Sequence, residues 1–271
     1  MSEEKKRKIL ITGASSGIGE ALALRLASKN NFLILISRSS NKLQSICSFI
    51  NSTTASTAVF YECDLTNIEE LQICLKNILK NYGCPDVIVN NAGNGTNGKF
   101  ENHEIQDLIK PTQLSIQAGM IITWFFLKYR KKTFPHFIFV TSPASYIPLP
   151  YMLAYFTPRY ALTGMLKALR NEYPIYEKYF SLICFGFVKT DYLKVNSSDP
   201  DWYPRLSKFI PEIEKDTAAE KIIQLIERPK SEYIYPIILR VFILIERFLP
   251  VVFLSFLKKV NLFKAVRLAK K

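Results

Sequence analysis

Residues 8–29 read Lys8-Ile9-Leu10-Ile11-Thr12-Gly13-Ala14-Ser15-Ser16-Gly17-Ile18-Gly19-Glu20-Ala21-Leu22-Ala23-Leu24-Arg25-Leu26-Ala27-Ser28-Lys29. The first five residues are an apolar run of strand length. From Gly17 the pattern is helical, with Ile18, Ala21, Leu22, Leu24 and Leu26 expected to pack on a sheet. Between strand and helix lies Gly13-x-x-x-Gly17-x-Gly19. Gly13 permits a tight turn, Gly17 lets backbone approach a bound group, and Gly19 allows close helix–strand packing. The same alternation continues outward. Strands are expected at 32–37, 58–62, 87–90, 137–141 and 179–185, with a last short one at 233–235. Helices are expected at 41–50, 67–81, 104–129 (in two pieces, because Pro111 interrupts it) and 158–172. Near-continuous apolar strands alternating with amphipathic helices imply a parallel sheet covered on both faces. Right-handed crossovers then give an α/β doubly wound parallel sheet, one domain over residues 1–235. Residues 236–271 are expected to form an apolar, basic helical extension.

Composition narrows the rest. The chain has 271 residues, 48% of them apolar, enough for one large core. The five cysteines are scattered and none sits in a C-x-x-C pair, so neither a disulfide framework nor a metal site is expected. Residues 1–8 are charged and carry no apolar run of a secretory leader, so an intracellular protein is expected. The formal charge is +13, with basic clusters at 5–8, 128–132 and beyond Lys258. That balance favours anionic partners. Nucleic acid is not expected, since no recognised nucleic-acid module accompanies the clusters.

The start of the first helix points free N–H groups and a positive dipole end at the glycine loop, which suits a pyrophosphate. A dinucleotide is therefore expected there. The second strand ends in Ser37-Arg38 rather than in an acid. Arg38 can pair with a ribose 2′-phosphate, so NADP(H) is expected over NAD(H). Asp64, just past the third strand, is placed to accept from the adenine amine.

With these motifs in order, residues 8–192 resemble the short-chain dehydrogenase/reductase family, whose fold is of the Rossmann type. Thr12-Gly13-Ala14-Ser15-Ser16-Gly17-Ile18-Gly19 is similar to its cofactor motif. Asn90-Asn91-Ala92-Gly93 is similar to the motif that steadies the sheet beside the cofactor. Gly186-Phe187-Val188-Lys189-Thr190 is similar to the segment that contacts the nicotinamide and phosphates, with Phe185 in place of the usual proline. The resemblance implies a cofactor set of Thr12, Gly13, Ser15, Ser16, Gly17, Ile18, Gly19, Arg38, Asp64, Asn91, Ala92, Gly93, Tyr155, Arg159, Gly186, Val188 and Thr190. It also implies catalytic roles. Tyr155, thirteen residues after Ser142, is the acid/base, and Ser142 holds the substrate oxygen. Arg159 stands where the family has Lys, and Ser115 stands where it has a water-holding Asn. Arg keeps charge and donors but cannot give up its proton in a relay. A helix beginning at Thr157-Pro158 need not put Tyr155 and Arg159 on one face; one beginning earlier does so at the loss of one backbone hydrogen bond.

The resemblance further implies that the segment between Thr190 and Pro211 caps the substrate. Its aromatic residues suit an apolar cleft. Gly98-Lys99-Phe100-Glu101 and the apolar C-terminal region are similar to those of 3-ketosphinganine reductases within the family. A reductase of a lipid-like ketone is thus expected, cytoplasmic or peripheral on the cytoplasmic face of a membrane, touching it through residues 236–271. The alternative is a dinucleotide-binding scaffold or redox sensor that has lost catalytic power. A homodimer through the apolar helix at 116–127 is expected. His103 and His136 receive no role.

Overall fold

The computed structural model describes residues 6–192 and 210–259. Seven strands form one parallel sheet in the order β3-β2-β1-β4-β5-β6-β9, and a two-stranded pair, β7-β8, stands apart. The strands are β1 (Lys8–Thr12), β2 (Phe32–Ser37), β3 (Thr57–Glu62), β4 (Val87–Asn90), β5 (His136–Thr141), β6 (Phe180–Phe185), β7 (Val188–Lys189), β8 (Ile213–Glu214) and β9 (Glu232–Tyr235). Strand order reverses between β1 and β4, which opens a crevice at their C-terminal ends where ligands of such sheets bind.

Side-chain alternation along the strands feeds two cores. Ile9 and Ile11 of β1 face one layer and Leu10 the other. The first layer holds α1 (Gly17–Ala27), α2 (Ser40–Thr53) and α7 (Lys215–Glu227). The second holds α3 (Ile68–Tyr82), α5 (Ala118–Tyr129) and α6 (Leu153–Glu172). α7 has no counterpart in the expectations from sequence. It packs Ala218, Ala219 and Ile222 inward and is tied to α1 by Arg25–Asp216 at 2.9 Å and Arg25–Glu220 at 2.6 Å. After β9 come α8 (Ile237–Phe248) and α9 (Pro250–Lys259).

Three local expectations need correction. Leu24 is exposed, because it lies off the i, i+3, i+4 arc that carries Ala21, Leu22 and Leu26. The long helix does not break at Pro111. That residue is buried inside α4 (Ile105–Thr112), and the irregularity is a π-turn, Gln113–Gln117, joining α4 to α5. Finally, α6 begins at Leu153, so Thr157-Pro158 is neither cap nor first turn. The proline forfeits one bond to the preceding turn. Against that, starting early buries Ala154, Pro158, Arg159 and Leu162 on one face.

Candidate functional site

The glycine loop is shaped by sterics. Gly13 has φ of +66° and Gly17 of +57°, a region that side-chain-bearing residues avoid. A Cβ on Gly19 would lie 2.3 Å from the Gly13 carbonyl oxygen, and one on Gly13 3.0 Å from Ala92 Cα. Backbone therefore meets backbone with no room for a single carbon. α1 starts at Gly17 with Ser16 as N-cap, and no side chain takes its first N–H groups. Thr190 packs beside the loop, its Cγ2 3.3 Å from the position of a Gly17 Cβ.

Thr12 and Asn91 work inside the sheet. Thr12 Oγ1 donates to the Val89 carbonyl at 3.4 Å and accepts from the N–H groups of Asn91 and Ala92, each at 3.1 Å. The Asn91 amide donates to the carbonyls of Thr12 at 3.1 Å and Gly13 at 3.3 Å. These bonds clamp β1 to β4 across the reversal point and fix the loop.

Beside the loop lies a cleft of about 800 Å3, lined among others by Ser15, Ser16, Lys42, Phe187, Lys189 and Thr190. Neither Tyr155 nor Ser142 lines it. Arg38 is exposed at the end of β2. Its charge reaches Asp64. Burial alone would raise the Asp64 pKa, but hydrogen bonds from Thr66 and the Arg38 charge bring it below the usual value. One Asp64 oxygen accepts from the Thr66 N–H at 2.9 Å and hydroxyl at 2.8 Å, so part of its accepting capacity closes its own turn. Lys42 was not anticipated. A cation in the first turn of a helix opposes the dipole, and α2 has no acid in its first turn. That mismatch was a readable sign of an anion site.

Past β5, Ser142 caps a short turn, Pro143–Ser145, by accepting from the Ala144 N–H at 3.3 Å. Ser145 donates to the Arg159 carbonyl at 3.0 Å, so its oxygen accepts from the Thr141 hydroxyl. The Ser145 carbonyl accepts from Thr163 at 3.2 Å. The turn bearing Ser142 is thereby stitched to the helix bearing Tyr155.

Tyr155 and Arg159 are one turn apart on α6 and share a face. The Arg159 guanidinium stacks 3.5 Å from the Tyr155 ring centroid. It donates to the carbonyls of Tyr155 at 2.7 Å and Asn94 at 3.2 Å, and to the Tyr192 hydroxyl at 3.0 Å. Arg159 is buried. Its charge is thus spread over an aromatic face and three oxygens, an arrangement a planar guanidinium allows and an ammonium does not. Tyr192 and Asn94 belong to this cluster and were missed in the sequence, where nothing in their spacing marks them. Gly95 closes in from the other side: a Cβ there would be 2.7 Å from Tyr155 Cδ2.

Ser115 sits in the π-turn. Its Oγ and an Arg159 guanidinium nitrogen each lie 3.5 Å from where a Gly93 Cβ would be, so both line the same small hollow. The Ser115 hydroxyl, the Asn90 amide and the Asn94 side-chain oxygen are buried without partners among the described residues. Such orphans in a cleft call for a ligand or water. Val188 is half-buried in β7. The region between Thr190 and Pro211, expected to cap the substrate, falls largely outside the described residues. No group of metal-ligating side chains occurs among the described residues.

Comparison with known proteins bears on the family and the fold. Residues 7–201 match the family model described as short chain dehydrogenase. The chain is 28% identical over 187 residues to 11-beta-hydroxysteroid dehydrogenase-like 3 of Arabidopsis thaliana, covering 69% of this chain and 60% of that relative's length. It is 25% identical over 246 residues to human 17-beta-hydroxysteroid dehydrogenase 13, covering 89% and 79%. Among solved structures, an alcohol dehydrogenase from the archaeon Thermococcus sibiricus complexed with 5-hydroxy-NADP superposes with a TM-score of 0.74 at 24% identity, covering 85% of this chain and 96% of that one. A dehydrogenase/reductase from Burkholderia phymatum in complex with NAD gives 0.76 at 19%, covering 89% and 93%. At these identities the structural likeness is one of fold.

Proposed function

The chain belongs to the short-chain dehydrogenase family, and from that premise we propose that it is an oxidoreductase binding NADP(H) in preference to NAD(H) and acting on an apolar ketone or the corresponding alcohol. The observation that carries this reading is the approach of the Tyr155–Arg159 pair to the glycine-bearing backbone, an Arg159 guanidinium nitrogen lying 3.5 Å from the position of a Gly93 Cβ, with the turn that bears Ser142 bonded to the same helix. The glycine loop fits a dinucleotide: Ser15, Ser16 and Gly17 line the open cleft at the start of α1, the Ser16 side chain caps none of the first N–H groups, and Gly13 and Gly19 hold the loop where a Cβ would strike backbone.

In this reading Ser15, Ser16, Gly17, Ile18 and Thr190 hold the diphosphate, and Gly93, Gly186 and Val188 border the nicotinamide half. Arg38 and Lys42 balance the charge of a 2′-phosphate, and Asp64 keeps one oxygen for an adenine amine. When bound, the cofactor supplies or accepts hydride. Tyr155 delivers or removes the proton of the substrate oxygen through its hydroxyl, and Ser142 orients that oxygen by a hydrogen bond. Arg159 holds the Tyr155 ring and the Asn94 loop in place. Ser115, with the orphaned Asn90 and Asn94 groups, holds water for proton exchange. The exposed Met120 and Trp124, one turn apart on α5, support a homodimer through that face.

Calorimetry with NADPH and NADH tests the cofactor choice. NADPH is expected to bind at least about tenfold more tightly, since one desolvated charge contact to phosphate is worth ~1.5–3 kcal/mol. Arg38→Ala should reduce the preference, and Arg38→Ala with Lys42→Ala abolish it, while NADH binding stays in place. Equal affinities in the parent protein would refute it.

A second reading has one observation in its favour. Three of the oxygens that Arg159 serves belong to the protein itself, as in a structural clamp. A dinucleotide-binding scaffold would bind NADPH yet show no turnover with any ketone, and Tyr155→Phe would change nothing.

A further inference from the structure

We propose that α8 and α9 form a monotopic anchor that seats this protein on an anionic lipid surface. The inference rests on the reading of an apolar substrate given above, and names where that substrate comes from.

α8 has two apolar faces. Leu239 and Ile243 point inward; Ile243 and Phe253 of α9 cover Ile147 and Cys184, and Leu239 lies beside Gly186. The outward arc carries Ile237, Val241, Leu244, Ile245 and Phe248, of which Ile237 is 77% and Phe248 74% exposed. At 3.6 residues per turn these five occupy roughly a third of the circumference. α9 continues the surface with exposed Val251, Val252 and Phe256. A monomer in water rarely leaves so much contiguous apolar area uncovered.

Charge decides among occupants. Arg240 and Arg247 are both exposed, seven residues apart, and fall together on one flank of the apolar arc. The only acid of the two helices, Glu246, is on the inner side, where burial raises its pKa. In sequence α9 ends in Lys258-Lys259, and Lys264, Arg267, Lys270 and Lys271 follow with no acidic residue. An apolar stripe with a purely basic rim matches an anionic bilayer surface, where each cation near the surface adds ~1 kcal/mol. A second copy of the chain would bring the same cations against each other. No helix among the described residues is long and apolar enough to cross a membrane, so the pair lies on the surface.

The position matters as much as the composition. Ile147 and Leu149, which the anchor covers, follow Ser142 within seven residues. Leu239 and Pro236 approach the position of a Gly186 Cβ to 3.3 Å. The inward faces of α8 and α9 thus pack against the segment that follows Ser142 and beside Gly186, leaving the outward arc free to meet lipid. Seated this way, the protein meets an apolar substrate where that substrate is dissolved, in the bilayer.

The test is flotation of the full chain with vesicles of pure phosphatidylcholine or of phosphatidylcholine containing 30 mol% phosphatidylserine (about the fraction that gives a strongly negative surface). The parent protein is expected to bind the anionic vesicles at least about tenfold more tightly, the effect of two or more surface cations. Val241→Asp with Leu244→Asp should abolish binding to both. Arg240→Glu with Arg247→Glu should weaken binding to the anionic vesicles at least about tenfold while leaving binding to pure phosphatidylcholine in place. Unchanged thermal midpoints verify folding. The proposal is overturned if the parent binds neither vesicle, if the aspartate variant still floats, or if that variant changes only the sedimenting mass, which would assign the surface to a second copy. NADPH affinity, measured on the same samples, reports on the cofactor reading separately.

Discussion

Arg159 is the residue on which chemistry and architecture meet. The sequence placed a guanidinium four residues after Tyr155 but left open whether they share a face; the early start of α6 aligns them. A guanidinium over the ring with bonds to Asn94, Tyr155 and Tyr192 cannot be removed without taking the donor from three half-buried acceptors. Arg159→Met is expected to lower unfolding free energy by about 1–3 kcal/mol, the usual penalty for orphaned polar groups. Turnover should fall by at least about tenfold, the effect of ~1.4 kcal/mol at the transition state. Arg159→Lys keeps the charge but not the planar fork, so it should recover turnover more than stability. Denaturant titration paired with steady-state kinetics separates the two quantities, and an Arg159→Met variant as stable and as active as the parent would contradict the clamp.

At the scale of elements, periodicity carried most of the information. β1 through β6 and the existence of the helices between them were legible because buried parallel strands are unbroken apolar runs and their helices repeat every 3.6 residues. The glycine loop was legible because its three glycines are demanded by sterics at that spot. What escaped notice depended on tertiary contacts. Pro158 reads as a helix start by local preference, yet burial of the Ala154–Arg159–Leu162 face outweighs one lost bond. The π-turn at Gln113–Gln117 has no sequence signature, although it is what turns Ser115 toward Gly93. Tyr192 joins the site only through folding, whereas Lys42 carries a local sign in the first turn of α2. α5 offers a test of how tightly these layers are packed. A Cβ on Gly119 would come within 2.8 Å of the buried Phe139 ring. Alanine there gains up to about 1 kcal/mol of helix propensity and loses about 1–3 kcal/mol to overpacking. Gly119→Ala is expected to be net destabilising, with a lower urea midpoint; a raised midpoint would show that the ring yields freely.

Across the whole molecule, His136 links β5 to β6 and to the segment before β9. Ser181 donates to the Lys230 carbonyl at 2.7 Å, so it is His136 Nε2 that donates to Ser181, also at 2.7 Å. Burial, aided by the Arg7 charge, lowers the His136 pKa to about 4. The unfolded chain, with an ordinary histidine near 6.5, therefore binds the extra proton first as pH falls. Stability from this group is complete above about pH 6.5 and drains away toward pH 4, by up to roughly 3 kcal/mol. His136→Gln should flatten that slope in urea melts taken between pH 7 and 5; an unchanged slope would place the acid sensitivity elsewhere. A last consequence concerns Gly186. It touches α8 through Leu239 and Pro236 on one side and begins the segment leading to Thr190 on the other. Two binding events that press on a single van der Waals contact are energetically linked. Whatever factor one ligand imposes on the other's affinity must be returned in full, a reciprocity that holds regardless of which arrives first.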